Sequence, residues 1–159
     1  MFPIRKIVHP TDFSERSAPA FATACALARD YGADLLVVHV LPPALVVAPN
    51  GAATVLDQPA DVDEARRQLD QMPAADPHVA VGHRLAQGNP AEEILKIAQS
   101  LPADLIVLGT HGWTGLARLL MGSVAETVMR KAPCPVLTVK APFPAEQTAS
   151  PAAHRVAAG

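Results

Sequence analysis

Aromatic residues are scarce in this chain: one Trp, one Tyr and four Phe, 4% of 159 residues. That is too few for a platform on which successive bases stack. Neither sign of charge dominates. Thirteen Lys+Arg against fifteen Asp+Glu leave a formal charge of −2, which gives no broad attraction to DNA or RNA. There are only two cysteines, Cys25 and Cys134. They form no CxxC pair, suggest no disulfide framework and suit a reducing compartment. Long apolar runs are missing too. The most apolar stretch, residues 35–48, is broken by His39 and by Pro42-Pro43, so it is too short and interrupted to cross a bilayer as a helix. The opening MFPIRKIVHPTDF lacks the apolar core and small-residue cleavage site of a secretory signal. The expectation is a cytoplasmic protein with neither a nucleic-acid nor a membrane partner.

What is abundant is apolar side chain. Hydrophobic residues make up 50% and charged residues 18%, a globular balance, and the length favours one domain. Residues 4–9 end at Pro10 and read as a strand, followed by Thr11-Asp12-Phe13-Ser14, a cluster of turn and cap residues. Phe21, Ala24, Ala28 and Tyr31 then recur at spacings of three and four and predict one face of a helix that begins near Ser17 and stops at Gly32. Residues 35–40 and 105–108 are continuous apolar runs, as in parallel strands covered on both faces. Residues 135–140 predict a third such strand, and residues 78–85 a weaker one.

Helices are predicted over residues 61–72, with Leu69 and Met72 on the apolar side, and over 91–100, with Asn89 as cap and Pro90 at the first position. Another is predicted over 123–131, where Ser123 serves as N-cap and Glu126 completes a capping box. The Pro- and Ala-rich residues 42–60 read as an irregular loop. No internal repeat is visible. Five strands alternating with helices predict an open parallel sheet. Residues 1–140 form the expected domain, and residues 141–159, with three prolines and no apolar periodicity, an expected disordered tail.

The segment from Gly109 to Ser123, GTHGWTGLARLLMGS, opens after the best strand and closes before a helix. Ligands of open α/β sheets bind beyond the carboxyl ends of strands, where the strand order reverses. A helix start there offers unpaired N–H groups to phosphate. Gly109 and Gly112 let backbone approach a ligand, and Gly122-Ser123 adds an N–H and a hydroxyl. No GxxxxGK[ST] occurs and the segment contains no lysine, so this is not a P-loop, nor is it a dinucleotide GxGxxG. Anion binding would rest on backbone N–H groups, Ser123 and Arg118. From composition alone, a glycine-rich loop that merely turns the chain is equally compatible.

The spacing Gly109-x2-Gly112-x9-Gly122-Ser123 resembles the G-x2-G-x9-G-[ST] pattern of ATP-binding universal stress proteins. Residues 7–14 (IVHPTDFS), the run Ser123-Val124-Ala125-Glu126 and residues 132–137 (APCPVL) look like that family as well. The resemblance covers about residues 3–140. It implies an α/β fold of the adenine nucleotide alpha hydrolase-like kind: five parallel strands in the order 3-2-1-4-5, with helices on both faces. It implies adenine beside Pro10, Thr11, Asp12 and Val40, with ribose and phosphates along Leu108, Gly109, Gly112, Gly122, Ser123 and Val124. It also implies a homodimer formed through the last strand, Val136–Val139. Two departures stand out. Trp113 stands where many members carry a basic or small polar residue, and the short middle region implies a reduced second helix.

Single residues carry competing roles. Asp12 either bonds an adenosine moiety or caps the turn into the first helix. His9, His39 and His111 fall near the ends of adjacent strands, where imidazoles ligate metals, but their spacing matches no zinc signature. Buried, hydrogen-bonded histidines are the commoner outcome. The expected function is that of an ATP-binding stress protein (ADP or AMP being equally compatible, with Mg²⁺) that regulates an unidentified protein partner according to nucleotide state. A slow ATPase or adenine-nucleotide transferase is the enzymatic alternative, although no general base or catalytic lysine is evident. A dimeric interaction module without nucleotide is the third.

Overall fold

The computed structural model describes residues 3–47, 51, 53–56, 59–73, 76–110 and 122–140. The proposed tail at 141–159 lies outside them, as do His111, Gly112, Trp113 and Arg118. In chain order the elements are β1 (Lys6–Pro10), α1 (Ala18–Tyr31), β2 (Asp34–Leu41), β3 (Ala44–Val47), β4 (Ala53–Leu56), α2 (Pro59–Asp70), β5 (Val81–Gln87), α3 (Pro90–Ser100), β6 (Leu105–Gly109), α4 (Ser123–Lys131) and β7 (Val136–Val139).

Five strands form one sheet in the order β5-β2-β1-β6-β7, with every neighbouring pair parallel. Counted among themselves, these strands run 3-2-1-4-5, as expected. The apolar runs show why. Val37, Val38, Ile106 and Val107 are all 0% exposed, so β2 and β6 are covered on both faces. One face packs Ile7, Leu35, Val37 and Val107 under Ala24 and Ala28 of α1 and Leu69 of α2. The other packs Val8, Val38, Ile106 and Leu108 under Ile94 and Ile97 of α3 and Ala125 and Val128 of α4. Each fully buried aliphatic side chain contributes about 1.5–3 kcal/mol.

Local signals set the helix limits. Pro19 sits in the first turn of α1, and Gly32 closes it at φ 62°, a left-handed conformation that glycine adopts without strain. The Ala33 N–H then reaches the Ala28 carbonyl at 2.8 Å. Asn89 caps α3 by accepting the Glu92 N–H, with Pro90 at the first position. At the amino end of the sheet, the Asp104 carboxylate accepts the N–H groups of Arg5 and Lys6 at 2.8 and 3.0 Å, tying the start of β1 to that of β6.

Four expectations about these elements need correction. Residues 42–60 are not an irregular loop: β3 and β4 pair antiparallel as a hairpin, Ala44 opposite Leu56 and Val47 opposite Ala53. Tyr31 does not join the buried face of α1; it is 53% exposed at the last position of the helix, where the chain turns through Gly32 into β2. The third sheet strand runs from Val81 to Gln87, not 78–85, and α2 spans twelve residues beginning at Pro59.

Candidate functional site

β1 and β6 are neighbours whose chains leave in opposite directions across the sheet, which makes their carboxyl ends the switch point. Pro10, Thr11, Asp12 and Val40 of the expected site lie at one side of it, and Leu108, Gly109, Gly122, Ser123 and Val124 at the other.

The corner after β1 is tightly organised. The Thr11 N–H donates to the Val38 carbonyl at 2.8 Å, extending the link to β2 one residue past the strand. The Thr11 hydroxyl oxygen accepts the Phe13 N–H and lies 3.2 Å from the Ser17 hydroxyl. Asp12 Oδ1 accepts both the N–H and the hydroxyl of Ser14, at 3.0 and 2.6 Å. These are turns in which a side chain closes on the backbone two residues ahead, and the spacings Asp12-x-Ser14 and Thr11-x-Phe13 signal them in the sequence. Ser17 is no side-chain cap for α1; its hydroxyl donates back to the Ser14 carbonyl at 2.8 Å. Phe13 is held at φ 61°, uncommon for a residue with a side chain, with its ring 4.2 Å from that of His39. Such over-determined corners cluster at functional sites.

On the other side, the Thr110 N–H donates to the Val139 carbonyl at 3.1 Å, and the Gly122 N–H to the Thr110 carbonyl at 2.9 Å. The second bond brings Gly122 beside the end of β6, so the two ends of the glycine segment meet. Ser123 is not the N-cap of α4. Gly122 holds that position at φ −58°, ψ 147°, Ser123 is the first helical residue, and no side chain caps the helix. The expected capping box therefore does not form. The Gly122 carbonyl accepts the Glu126 N–H at 2.9 Å, leaving the amides of Ser123, Val124 and Ala125 without an intrahelical partner. Those three amides and the positive end of the helix dipole give this corner the polarity that suits an anion.

Two of the three histidines are described. His39 Nδ1 lies 2.8 Å from the Thr11 carbonyl and His9 Nδ1 2.9 Å from the Val107 carbonyl. Each ring is thus committed to backbone by one nitrogen. Burial pushes the His9 pKa down to about 4, against the opposing pull of its bond to Val107 and of the Asp12 charge. Burial raises the pKa of both Cys25 and Cys134, so neither thiol is primed as a nucleophile. A groove of about 330 Å³ lies at the opposite end of the sheet, lined by Lys6, Leu36, Gly82 and Leu101 among others. It is mostly apolar and shares no residue with the switch point.

A family model matches residues 3–140, and it is that of the universal stress protein family. This chain belongs to that family. Universal stress protein MJ0531 of Methanocaldococcus jannaschii is 37% identical over 142 residues, covering 87% of this chain and 83% of that protein. The structure of universal stress protein UspA from Lactobacillus plantarum superposes with a TM-score of 0.70 at 27% identity, covering 86% of this chain and 97% of that one. A universal stress protein solved in complex with cAMP gives a TM-score of 0.60 at 26% identity, covering 88% and 99%. Among the described residues, no helix is long and apolar enough to cross a membrane.

Proposed function

We propose that this universal stress protein binds an adenine nucleotide, with ATP as the reference ligand, at the carboxyl ends of β1 and β6. The observation that carries the proposal is the bond from the Gly122 N–H to the Thr110 carbonyl. It sets the three unspent amides of α4 against the end of β6, beside the Thr11–Asp12 corner. Support also comes from the relative whose structure was solved with cAMP. The base would lie beside Pro10, Thr11, Asp12 and Val40. The phosphates would run along Leu108 and Gly109 to Gly122, Ser123 and Val124, with Gly112 and Arg118 expected from the sequence. No lysine is needed, since helix amides supply the positive potential. Mg²⁺ would enter with the phosphates, keeping several waters; among the described residues no cluster of three His, Cys, Asp or Glu is placed to hold a metal by itself.

Calorimetric titration with ATP, ADP, AMP and cAMP, with and without Mg²⁺, tests the proposal. At a ligand concentration 100 times Kd, stability should rise by about 2.7 kcal/mol. For a domain of this size that is a gain in Tm on the order of 10 °C. Absence of heat and of thermal stabilisation at millimolar nucleotide would overturn it. ATP turnover that co-purifies with the protein and disappears in Ser123→Ala would point to the slow ATPase instead.

The regulatory role includes a homodimer built on β7. That strand is a sheet edge, and Leu137 on it, with Val124 and Met129 on α4, are exposed large apolar residues. Unpaired edges invite pairing with a second chain. Leu137→Asp should convert dimer to monomer in sedimentation analysis at micromolar concentration, and an unchanged sedimentation coefficient would refute this interface.

A further inference from the structure

At the mouth of the crevice, a side chain bonds where a peptide group ordinarily would. Peptide groups alternate along β1. Arg5 and Thr11 bond across to the β2 side, through Asp34 N–H to Arg5 O and Thr11 N–H to Val38 O, while Lys6 accepts the Asp104 N–H on the β6 side. Even-numbered residues therefore face β6. Val8 lies opposite Ile106, and the β1–β6 ladder ends with that pair, although β1 stays paired with β2 as far as Pro10 and Val38. In a parallel ladder the next bond toward β6 would run from the N–H of residue 10 to the carbonyl of Val107. Residue 10 is proline and has no N–H.

The His9 ring, fully buried, supplies the missing donor. Its Nδ1 lies 2.9 Å from the Val107 carbonyl, and Phe21 of α1 packs against it with ring centroids 5.6 Å apart. A carbonyl only accepts, so Nδ1 carries the hydrogen and Nε2 a lone pair. Nε2 is buried with no partner among the described residues, which leaves the Val107 bond as the ring's polar commitment.

We propose that His9 is a positioning residue for the nucleotide crevice: Pro10 ends the β1–β6 ladder and lets the two strands part, and the His9 imidazole limits how far they part. The lips it joins carry Pro10, Thr11 and Asp12 on one strand and Leu108 and Gly109 on the other. The role in binding rests on the function proposed above, but the pin itself is measurable without ligand.

Three variants and one spectrum test it. His9→Asn keeps a donor near the Nδ1 position, His9→Leu removes it, and His9→Leu combined with Pro10→Ala restores a peptide donor. In His9→Leu, amide hydrogen exchange at Val107 and Gly109 should accelerate by about tenfold or more, since a buried carbonyl has lost its donor. ATP affinity should fall by a similar factor. His9→Asn should stay within about threefold of the parent protein, and Pro10→Ala should slow the exchange again in the His9→Leu background. In the parent protein, ¹⁵N shifts at neutral pH should show a protonated Nδ1 and a bare Nε2; the reverse tautomer overturns the proposal even if no variant folds. Exchange in His9→Leu that matches the parent, or no recovery with Pro10→Ala, also overturns it. If the parent binds no nucleotide, the proposed function falls while exchange still decides the pin. If the parent and His9→Leu bind ATP equally, the positioning role falls alone.

Discussion

Lowering the pH from neutrality to about 4 is expected to remove about 3 kcal/mol of folding stability through His9 alone. Burial holds its pKa at about 4 in the folded chain against 6.5 for the free side chain. Between those values the unfolded chain takes up a proton that the fold refuses. The sign follows: the contribution is complete above about pH 6.5, declines as pH falls and levels off below about 4. Asp12 nearby pulls the other way without cancelling the effect. Urea denaturation at a series of pH values between these limits measures the slope, and His9→Asn, which keeps a donor but takes up no proton, should flatten it. An equally steep loss in that variant would show that other groups cause it.

Ser123→Asp should separate binding from stability. Ser123 is exposed, stands first in α4 and lends no side-chain cap. A carboxylate in the first turn of a helix stabilises it by about 0.3–1 kcal/mol. The same carboxylate would sit where the phosphates are proposed to lie. Two like charges about 4 Å apart near a surface repel by up to about 4 kcal/mol, and with solvent exposure a loss of roughly 100-fold in ATP affinity is expected. Calorimetry and urea denaturation should therefore move in opposite directions. Unaltered affinity would place the phosphates elsewhere.

Most of the sheet was legible because its central strands are buried on both faces. Residues 35–40 and 105–108 are unbroken apolar runs, and in a chain that alternates such runs with helices they mark parallel strands. β5 was harder to place. It is an edge strand with exposed Gly82 and Arg84 alternating with half-buried neighbours, so its pattern fades into the preceding turn. The β3–β4 hairpin escaped because Pro42, Pro43 and Pro49 carry the usual marks of a loop. Yet Asn50-Gly51 between two apolar runs is a strong hairpin signal, and Gly51 does adopt φ 81°.

The glycine spacing marks the candidate site in the sequence, but its joinery is not written there. The serine next to a helix start draws the cap assignment, while Gly122 performs it, since glycine also tolerates that position. The bond of Ser14 to Asp12 follows a turn spacing visible in the sequence, whereas the contacts of Ser17 with Thr11 and Ser14 depend on a corner that only the folded chain defines. His9 likewise carries no sequence signal for its bond to Val107. That bond follows from the register of β1 on β6 and from the parity of Pro10 within it, which only the folded sheet defines.

The strand of this sheet that leaves the ribosome first lies at its centre. β1 is flanked by β2, which follows within about thirty residues, and by β6, which arrives about a hundred residues later. Until translation has delivered β6, the nascent chain holds an open strand edge in its middle, with the Asp104 carboxylate that fastens Arg5 and Lys6 still missing. Late closure of this kind slows folding and exposes an aggregation-prone seam. Premature termination before residue 105 would thus leave a half-sheet with an unsealed flank, a natural substrate for chaperones and proteases.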